Sequence, residues 1–395
     1  MKLLQAKLAQ YQEPQKAKAL GIYPYFREIE SEQDTEVYMH GKKVLMFGSN
    51  CYTGLVNDKR VHEAAIKAIQ KYGTGCAGSP FLNGTLDIHK KLERRLADFV
   101  GKEDAMVYST GFGVNLGVVS TLTGRGDYII CDEQDHASII EGRRLSFSNY
   151  LKYKHNDMAS LEEQLKKCEP DRVKLIVTDG VFSMEGDVCN LPEICDLARK
   201  YKAAVMVDEA HSIGVFGEGG RGVCNHFGLS DEVDLITGTF SKSFASLGGF
   251  IACDETITNF LRHHSRSYIF TASITPASTA AVDAAPDIML NEPERQEQLW
   301  KVTHYALDGF RAMGCEIGNT STPIIPLYIR DQNKTFAITA ELLNEGIFVN
   351  PVVSPAVAPQ DTLIRYSLMA THTKEQVDFS LEKIEKVFRK YGVIK

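Results

Sequence analysis

The sequence predicts an α/β fold: a large domain on a mostly parallel sheet flanked by helices, followed by a smaller C-terminal α+β domain. Three observations predict it. Short apolar runs at 128–131, 175–178, 204–207 and 235–237 recur with helix-length spacers between them, and strands alternating with helices imply parallel pairing. Three of these runs lead straight into an acid, Asp132, Asp179 or Asp208, and the fourth into Gly238-Thr239. Ligands on such sheets bind at the carboxyl ends of the strands. Finally, the texture changes near residue 290, where a long helical stretch gives way to short strands and helices.

Taken in order, residues 1–55 read as an N-terminal arm: an amphipathic helix, then a hairpin whose His40-Gly41-Lys42 turn separates two alternating segments. Residues 56–290 form the large domain, with helices expected at 59–72, 86–100, 112–123, 158–168 and 191–201. Residues 291–395 form the small domain. It is expected to hold a helix at 292–313, a strand at 324–329, a helix at 333–345, a strand at 363–367 and a last helix at 373–390.

Composition narrows the function. Apolar and charged fractions of 44% and 24% are those of an ordinary globular protein. A net charge of −7 argues against nucleic acid as the main partner. Two local basic runs stand out. Lys90-Lys91 with Arg94-Arg95 reads as a solvated helix face, whereas Arg262-His263-His264 with Arg266 has the charge to meet an anionic substrate. Nine cysteines without a Cys-x-x-Cys pair fit neither a disulfide framework nor a zinc site, and point to a reducing cytoplasm. No metal site is expected. The first twenty residues are interrupted by Lys, Gln and Glu, unlike a signal peptide, and no apolar stretch reaches the ~18 residues of a spanning helix. Weak attachment to a membrane surface stays open.

The chemistry concentrates after the strands. Lys242 lies in Gly238-Thr239-Phe240-Ser241-Lys242-Ser243, between two apolar runs, and Val207-Asp208-Glu209-Ala210-His211 closes an earlier strand. A lysine amine condenses with a carbonyl cofactor, and a buried carboxylate can keep a pyridine nitrogen protonated. Alone, Lys242 reads as a surface charge and Asp208 as a helix cap; the ordered pair points to pyridoxal phosphate chemistry. His211, three residues beyond Asp208, can be aimed by the same turn at the same ligand. His136, in Asp132-Glu133-Gln134-Asp135-His136-Ala137-Ser138, could stack on a cofactor and touch a substrate carboxylate. Ser109-Thr110-Gly111-Phe112-Gly113 opens a helix, whose free amides favour a phosphate, and Thr239 and Ser241 could add hydroxyls. Ser183 could bond cofactor or substrate. Arg365 sits in an otherwise apolar strand and needs an anion, either a substrate carboxylate or a structural partner.

These motifs in this order resemble the α-oxoamine synthases, a fold-type I branch of the pyridoxal phosphate enzymes. The resemblance runs from about Gly21 to the end. It passes through Ser49-Asn50-Cys51-Tyr52-Thr53-Gly54-Leu55, Asn83-Gly84-Thr85 with His89 and Leu92-Glu93, Asp179-Gly180-Val181-Phe182-Ser183-Met184-Glu185-Gly186, and the segments around Gly111, Asp208 and Lys242. It implies a pyridoxal 5'-phosphate enzyme that condenses an amino acid with an acyl-CoA and releases CO2. Thr239-Phe240-Ser241-Lys242-Ser243, followed by Gly248-Gly249-Phe250, looks most like the bacterial branch that joins L-serine to palmitoyl-CoA in sphingolipid synthesis; other members generally read Leu-Gly-Lys-Ala there. The alternatives are another reaction on the scaffold (glycine with acetyl-CoA, or 8-amino-7-oxononanoate synthesis), a pyridoxal phosphate aminotransferase, or a non-catalytic partner subunit. Relatives of the last kind have lost the lysine that this chain keeps.

Carried over by position, the resemblance implies Lys242 as the Schiff-base residue, Asp208 at the pyridine nitrogen, His211 near the phenolic oxygen and His136 stacked on the ring. Gly111, Phe112, Thr239 and Ser241 would surround the phosphate, with Thr271 reaching in from the second subunit of a homodimer. Arg365, with His136 and Asn50, would hold the substrate. Pro80 stands where an arginine is often found, and Cys51 and Thr53 depart from the usual Asn-Tyr-Leu-Gly pattern. All three departures bear on acyl-CoA handling.

Overall fold

The computed structural model describes residues 2–395, which fall into two compact units. One comprises residues up to Ser49 together with Lys301–Leu368 and His372–Lys395; the other comprises Asn50–Trp300 and Met369–Thr371.

The first unit starts with helices α1 (Lys2–Leu8) and α2 (Glu13–Ala19), neither of which buries a residue. The single amphipathic helix expected here is therefore two short ones. Pro14, which lacks an N–H, sits in the first turn of α2 and starts a new helix instead of continuing the old one. Strands β1 (Glu36–Met39) and β2 (Lys42–Met46) form the expected hairpin. His40 and Gly41 both take positive φ (50° and 68°), the type I′ geometry that suits the twist of paired strands.

The second unit contains α3 (Lys59–Tyr72), α4 (Asp87–Val100), β3 (Asp104–Tyr108), α5 (Gly111–Leu122), β4 (Tyr128–Asp132), α6 (Ala137–Leu145), β5 (Asn149–Tyr153), α7 (Met158–Leu165) and β6 (Lys174–Asp179). It continues through α8 (Leu191–Tyr201), β7 (Ala204–Asp208), α9 (Val223–His226), β8 (Leu235–Thr239), β9 (Gly249–Cys253), α10 (Glu255–His264), α11 (Arg266–Ile269) and α12 (Pro276–Asn291). Its seven strands form one sheet in the order β3-β9-β8-β7-β6-β4-β5. Only β9 runs against the others, so the sheet is mostly parallel as expected. Strands β4 and β6 are buried along their whole length, which is why they read as unbroken apolar runs. Helix α5 packs Val114, Val118 and Val119 against Met106, Ile129 and Ile251 of the sheet in one continuous core.

Several elements of this unit escaped the sequence reading, among them the short helices α6, α9, α10 and α11 and the three that follow. Strand β5 is an edge strand with half-exposed residues, so its apolar signal is diluted. Strand β3 is only five residues long and directly follows α4. Helix α12 carries Pro286 in its interior, a residue that argues against helix on sequence grounds.

Helix α13 (Pro293–Ala312) spans the boundary between the units. The rest of the first unit is β10 (Ile324–Tyr328), α14 (Gln332–Asn344), β11 (Ile347–Phe348), β12 (Asn350–Val352), β13 (Leu363–Ser367) and α15 (Lys374–Lys390). Strand β11 adds in parallel to the hairpin, and β10, β13 and β12 form a separate antiparallel sheet. No helix among the described residues is long and apolar enough to cross a membrane. None of the nine cysteines forms a disulfide, and six of them are buried.

Candidate active site

The carboxyl ends of β4, β6, β7 and β8 place Asp132, Asp179, Asp208 and Thr239 along one edge of the sheet. A cavity of about 280 Å³ opens there, lined among others by His136, Asp179, Asp208, His211, Thr239, Ser241 and Lys242. Strand β3 ends at the same edge and feeds α5, whose first residues Gly111 and Phe112 join the lining.

Each group is held by identifiable contacts. Asp208 is buried; its Oδ1 accepts from the Ala210 N–H (2.9 Å) and its Oδ2 from Asn115 Nδ2 (2.5 Å). His211 follows on the same turn, with Nδ1 2.7 Å from the Tyr52 hydroxyl. Glu209 points away from the cavity into the protein and accepts from the Val223 and Cys224 N–H groups and the Ser212 hydroxyl. That closes the 209–224 loop beneath the site. The Lys242 turn hangs between two fully buried rings, Phe240 and Phe244, in edge contact at 5.5 Å. Its backbone is closed by Phe240 N–H to Gly248 O and Ser246 N–H to Phe240 O, both 2.9 Å.

His136 caps α6. Its Nδ1 lies 2.7 Å from the Ser138 hydroxyl and accepts from the Ser138 N–H (3.3 Å). The Ser138 oxygen also accepts from Asn115 Nδ2 (2.9 Å), and because Nδ1 accepts the Ser138 N–H, the proton of the neutral His136 ring resides on Nε2. Burial pushes the imidazole below its usual value, opposed by the Asp208 carboxylate and reinforced by the Lys242 ammonium. The ring thus favours its neutral form near pH 7, with Nε2 carrying the proton. Its backbone N–H donates to Asp179 Oδ2 at 2.8 Å. Asp179, in register with Asp208, is pushed well above the usual carboxyl range by burial and then by Asp208.

Behind this edge, His155 bridges Asp132 (3.0 Å) and Asp187 (3.3 Å), with its ring edge-on to Phe182. Burial lowers its pKa, but the two carboxylates overcome this and lift it to about 9 from an ordinary 6.5. A raised folded-state pKa gives stability that is complete below about pH 6.5 and is lost as pH climbs through about 9, worth up to roughly 3 kcal/mol. The melting temperature of the native chain should fall across that window, and a His155→Gln variant should start lower and fall less. Parallel melting curves from pH 6 to 10 would overturn this.

The family model for class I and II aminotransferases matches residues 42–384. The serine palmitoyltransferase of Bacteroides thetaiotaomicron is 66% identical over 98% of this chain and 99% of its own. The 8-amino-7-oxononanoate synthase of Petrotoga mobilis is 43% identical over 97% and 98%. The solved serine palmitoyltransferase of S. paucimobilis with bound PLP–myriocin superposes with a TM-score of 0.96 at 35% identity, covering 99% of this chain and all of that one.

The chain belongs to the α-oxoamine synthases. Its fold is the fold-type I transferase fold of this family, whose coenzyme is pyridoxal phosphate. The cavity fits that group. Gly111 leaves room that a side chain would close, since a Cβ there would lie 2.5 Å from Thr239 Oγ1. The hydroxyls of Thr110, Thr239 and Ser241 and the start of α5 face the same space, a donor set suited to a phosphate, with Lys242 and Asp208 lining the same cavity.

The structure does not bring every expected α-oxoamine synthase residue into this cavity. Ser183, the exposed Thr271 and Asn50 are not among its lining residues. Arg365 lies in β13 of the first unit, buried, donating from Nη1 to Ser367 Oγ at 2.7 Å. Arg262, considered for an anionic substrate, is instead committed to Glu93 (3.0 and 3.1 Å) and Asp104 (3.3 Å). The Lys90–Arg95 run pairs with Glu93, Asp98, Asp283 and Asp287. Asn115 was missed as a site residue. Its signal was a polar side chain in a small apolar helix, 3% exposed.

Proposed function

We propose that the protein joins L-serine to palmitoyl-CoA, releasing CoA and CO2 and giving 3-oxosphinganine. The observation that carries this reading is 66% identity across nearly the whole chain with a serine palmitoyltransferase, against 43% with an 8-amino-7-oxononanoate synthase. When bound, pyridoxal phosphate supplies an electron sink for the charge that develops at the amino acid Cα. Lys242, Asp208, His136 and His211 would hold its ring, with Ser183 as a further hydrogen-bond partner. Gly111, Phe112, Thr239, Ser241 and a Thr271 from a second subunit would hold its phosphate.

The side chains then do three things. The Lys242 amine takes the Cα proton of serine as general base. His136, neutral and protonated on Nε2, donates to the serine carboxylate, which Arg365 grips with its two-pronged guanidinium and Asn50 helps to seat. Together they hold serine in one orientation, which decides the bond that breaks at Cα. The new carbon–carbon bond joins Cα to the thioester carbonyl, CoA departs as thiolate, the serine carboxyl departs as CO2, and the electron pair it leaves at Cα takes a proton back from the Lys242 ammonium.

A homodimer with shared sites is part of the proposal, a two-fold pair being the commonest soluble assembly. So is a cytoplasmic location, favoured by nine cysteines that form no disulfide. The exposed Leu3, Leu4 and Leu8 of α1, beside Lys2 and Lys7, support peripheral contact with the inner face of the cell membrane.

The test is mass spectrometry of products from purified protein with pyridoxal phosphate, serine, glycine or alanine, and a ladder of acyl-CoA lengths. The expected product is long-chain 3-oxosphinganine from serine. A short-chain product made only from glycine, or amino-group transfer to a 2-oxo acid without CoA release, would replace the proposal with one of its rivals.

A further inference from the structure

We propose that Thr53 is a positioning residue for Lys242, acting through a hydrogen bond to the peptide carbonyl one residue beyond it. The proposal rests on the reading above, in which Lys242 carries the chemistry. Residue 53 is one of the positions where this chain departs from its family pattern, offering a hydroxyl in a segment that usually reads Asn-Tyr-Leu-Gly. That hydroxyl does not face solvent. Thr53 is 3% exposed, and its Oγ1 donates to the Ser243 carbonyl at 2.7 Å.

The contact belongs to a three-way junction. Ser243 is itself buried and donates from Oγ to the Ile213 carbonyl at 2.6 Å. Gly214, at φ 78°, packs so closely that a Cβ there would lie 2.6 Å from the Ser243 Cβ and 2.7 Å from the Thr53 Cγ2. The loop around residue 53, the turn after His211 and the turn bearing Lys242 therefore meet at one point. Adjacent residues divide the work: Tyr52 bonds His211, and Thr53 bonds the lysine turn.

An aliphatic side chain at 53 fills the space but leaves the Ser243 carbonyl without this donor. A buried acceptor that loses its donor costs free energy, and a shift that relieves it here moves the peptide one residue beyond Lys242. Displacing a reacting group by about 1 Å can cost on the order of 10²-fold in rate. No bond is made or broken by Thr53; its effect is on where the amine sits.

The experiment compares Thr53→Val, which keeps shape and removes the hydroxyl, with Thr53→Ser, which keeps the hydroxyl. Thr53→Ala serves as a second hydroxyl-free variant should valine prevent folding. The first readout needs no substrate: reductive methylation of Lys242 in coenzyme-stripped protein, measured by peptide mass spectrometry against exposed Lys59. The second is the split between kcat and the KM for serine. Valine should change Lys242 methylation by about threefold or more and lower kcat about tenfold at nearly constant KM, a change equivalent to about 1.4 kcal/mol. Serine should restore both. Native methylation and kcat in the valine and alanine variants, or no recovery with serine, would overturn the proposal. If the native protein makes no product from serine and palmitoyl-CoA, the functional reading fails, while the methylation arm still decides Thr53.

Discussion

Replacing Lys242 by alanine is expected to cut turnover by at least about 10³-fold, because in the proposed reaction one amine serves as both coenzyme anchor and general base. The fold should survive. The turn is held by main-chain hydrogen bonds and by Phe240 and Phe244, none of which uses the lysine side chain. The variant should keep its melting temperature within a few degrees, still take up coenzyme, and lack the visible absorbance of the covalently held form. Added primary amine should restore a small fraction of activity. Native turnover by the alanine protein would remove the basis for the proposed chemistry.

The second large effect is expected at Asp208. An Asp208→Asn protein should lose about 10²- to 10³-fold in kcat/KM, or roughly 3–4 kcal/mol of transition-state stabilisation. Two causes add. In the proposed placement Asp208 faces the ring nitrogen, where the amide would supply no negative charge and the electron sink would be weakened. The neighbours also discriminate, since Ala210 N–H and Asn115 Nδ2 both donate to the native carboxylate. An asparagine has one oxygen for two donors, so one of its faces opposes N–H to N–H. Coenzyme affinity, measured by titration, should weaken as well. An asparagine variant with native kcat/KM would show that the carboxylate charge is not used.

The parts of the site that could be read from sequence are those where chemistry and strand periodicity coincide. Asp132, Asp179, Asp208 and Thr239 follow apolar runs, and a parallel sheet places such residues on one edge whatever the details of packing. The relay from Asn115 through Ser138 to His136 could not be read in that way. It joins residues 23 apart on two helices, and only the packing of α5 on α6 brings them together. Arg262 shows the opposite failure. Its basic neighbourhood suggested a ligand, but Glu93, an acid 169 positions earlier, had already claimed it. Thr53 looked like a defect in a motif until its partner, 190 residues away, was in view.

The two phenylalanines that flank Lys242 have a dynamic consequence. In the proposed cycle the amine must change partners, yet the peptide that bears it is pinned on both sides by rings with no solvent exposure. The exchange therefore falls to rotation about the four methylene torsions of one side chain, a picosecond-to-nanosecond event. Hydrogen exchange through residues 240–248 should stay slow whether or not ligands are present, and any millisecond step in turnover should arise in another part of the molecule.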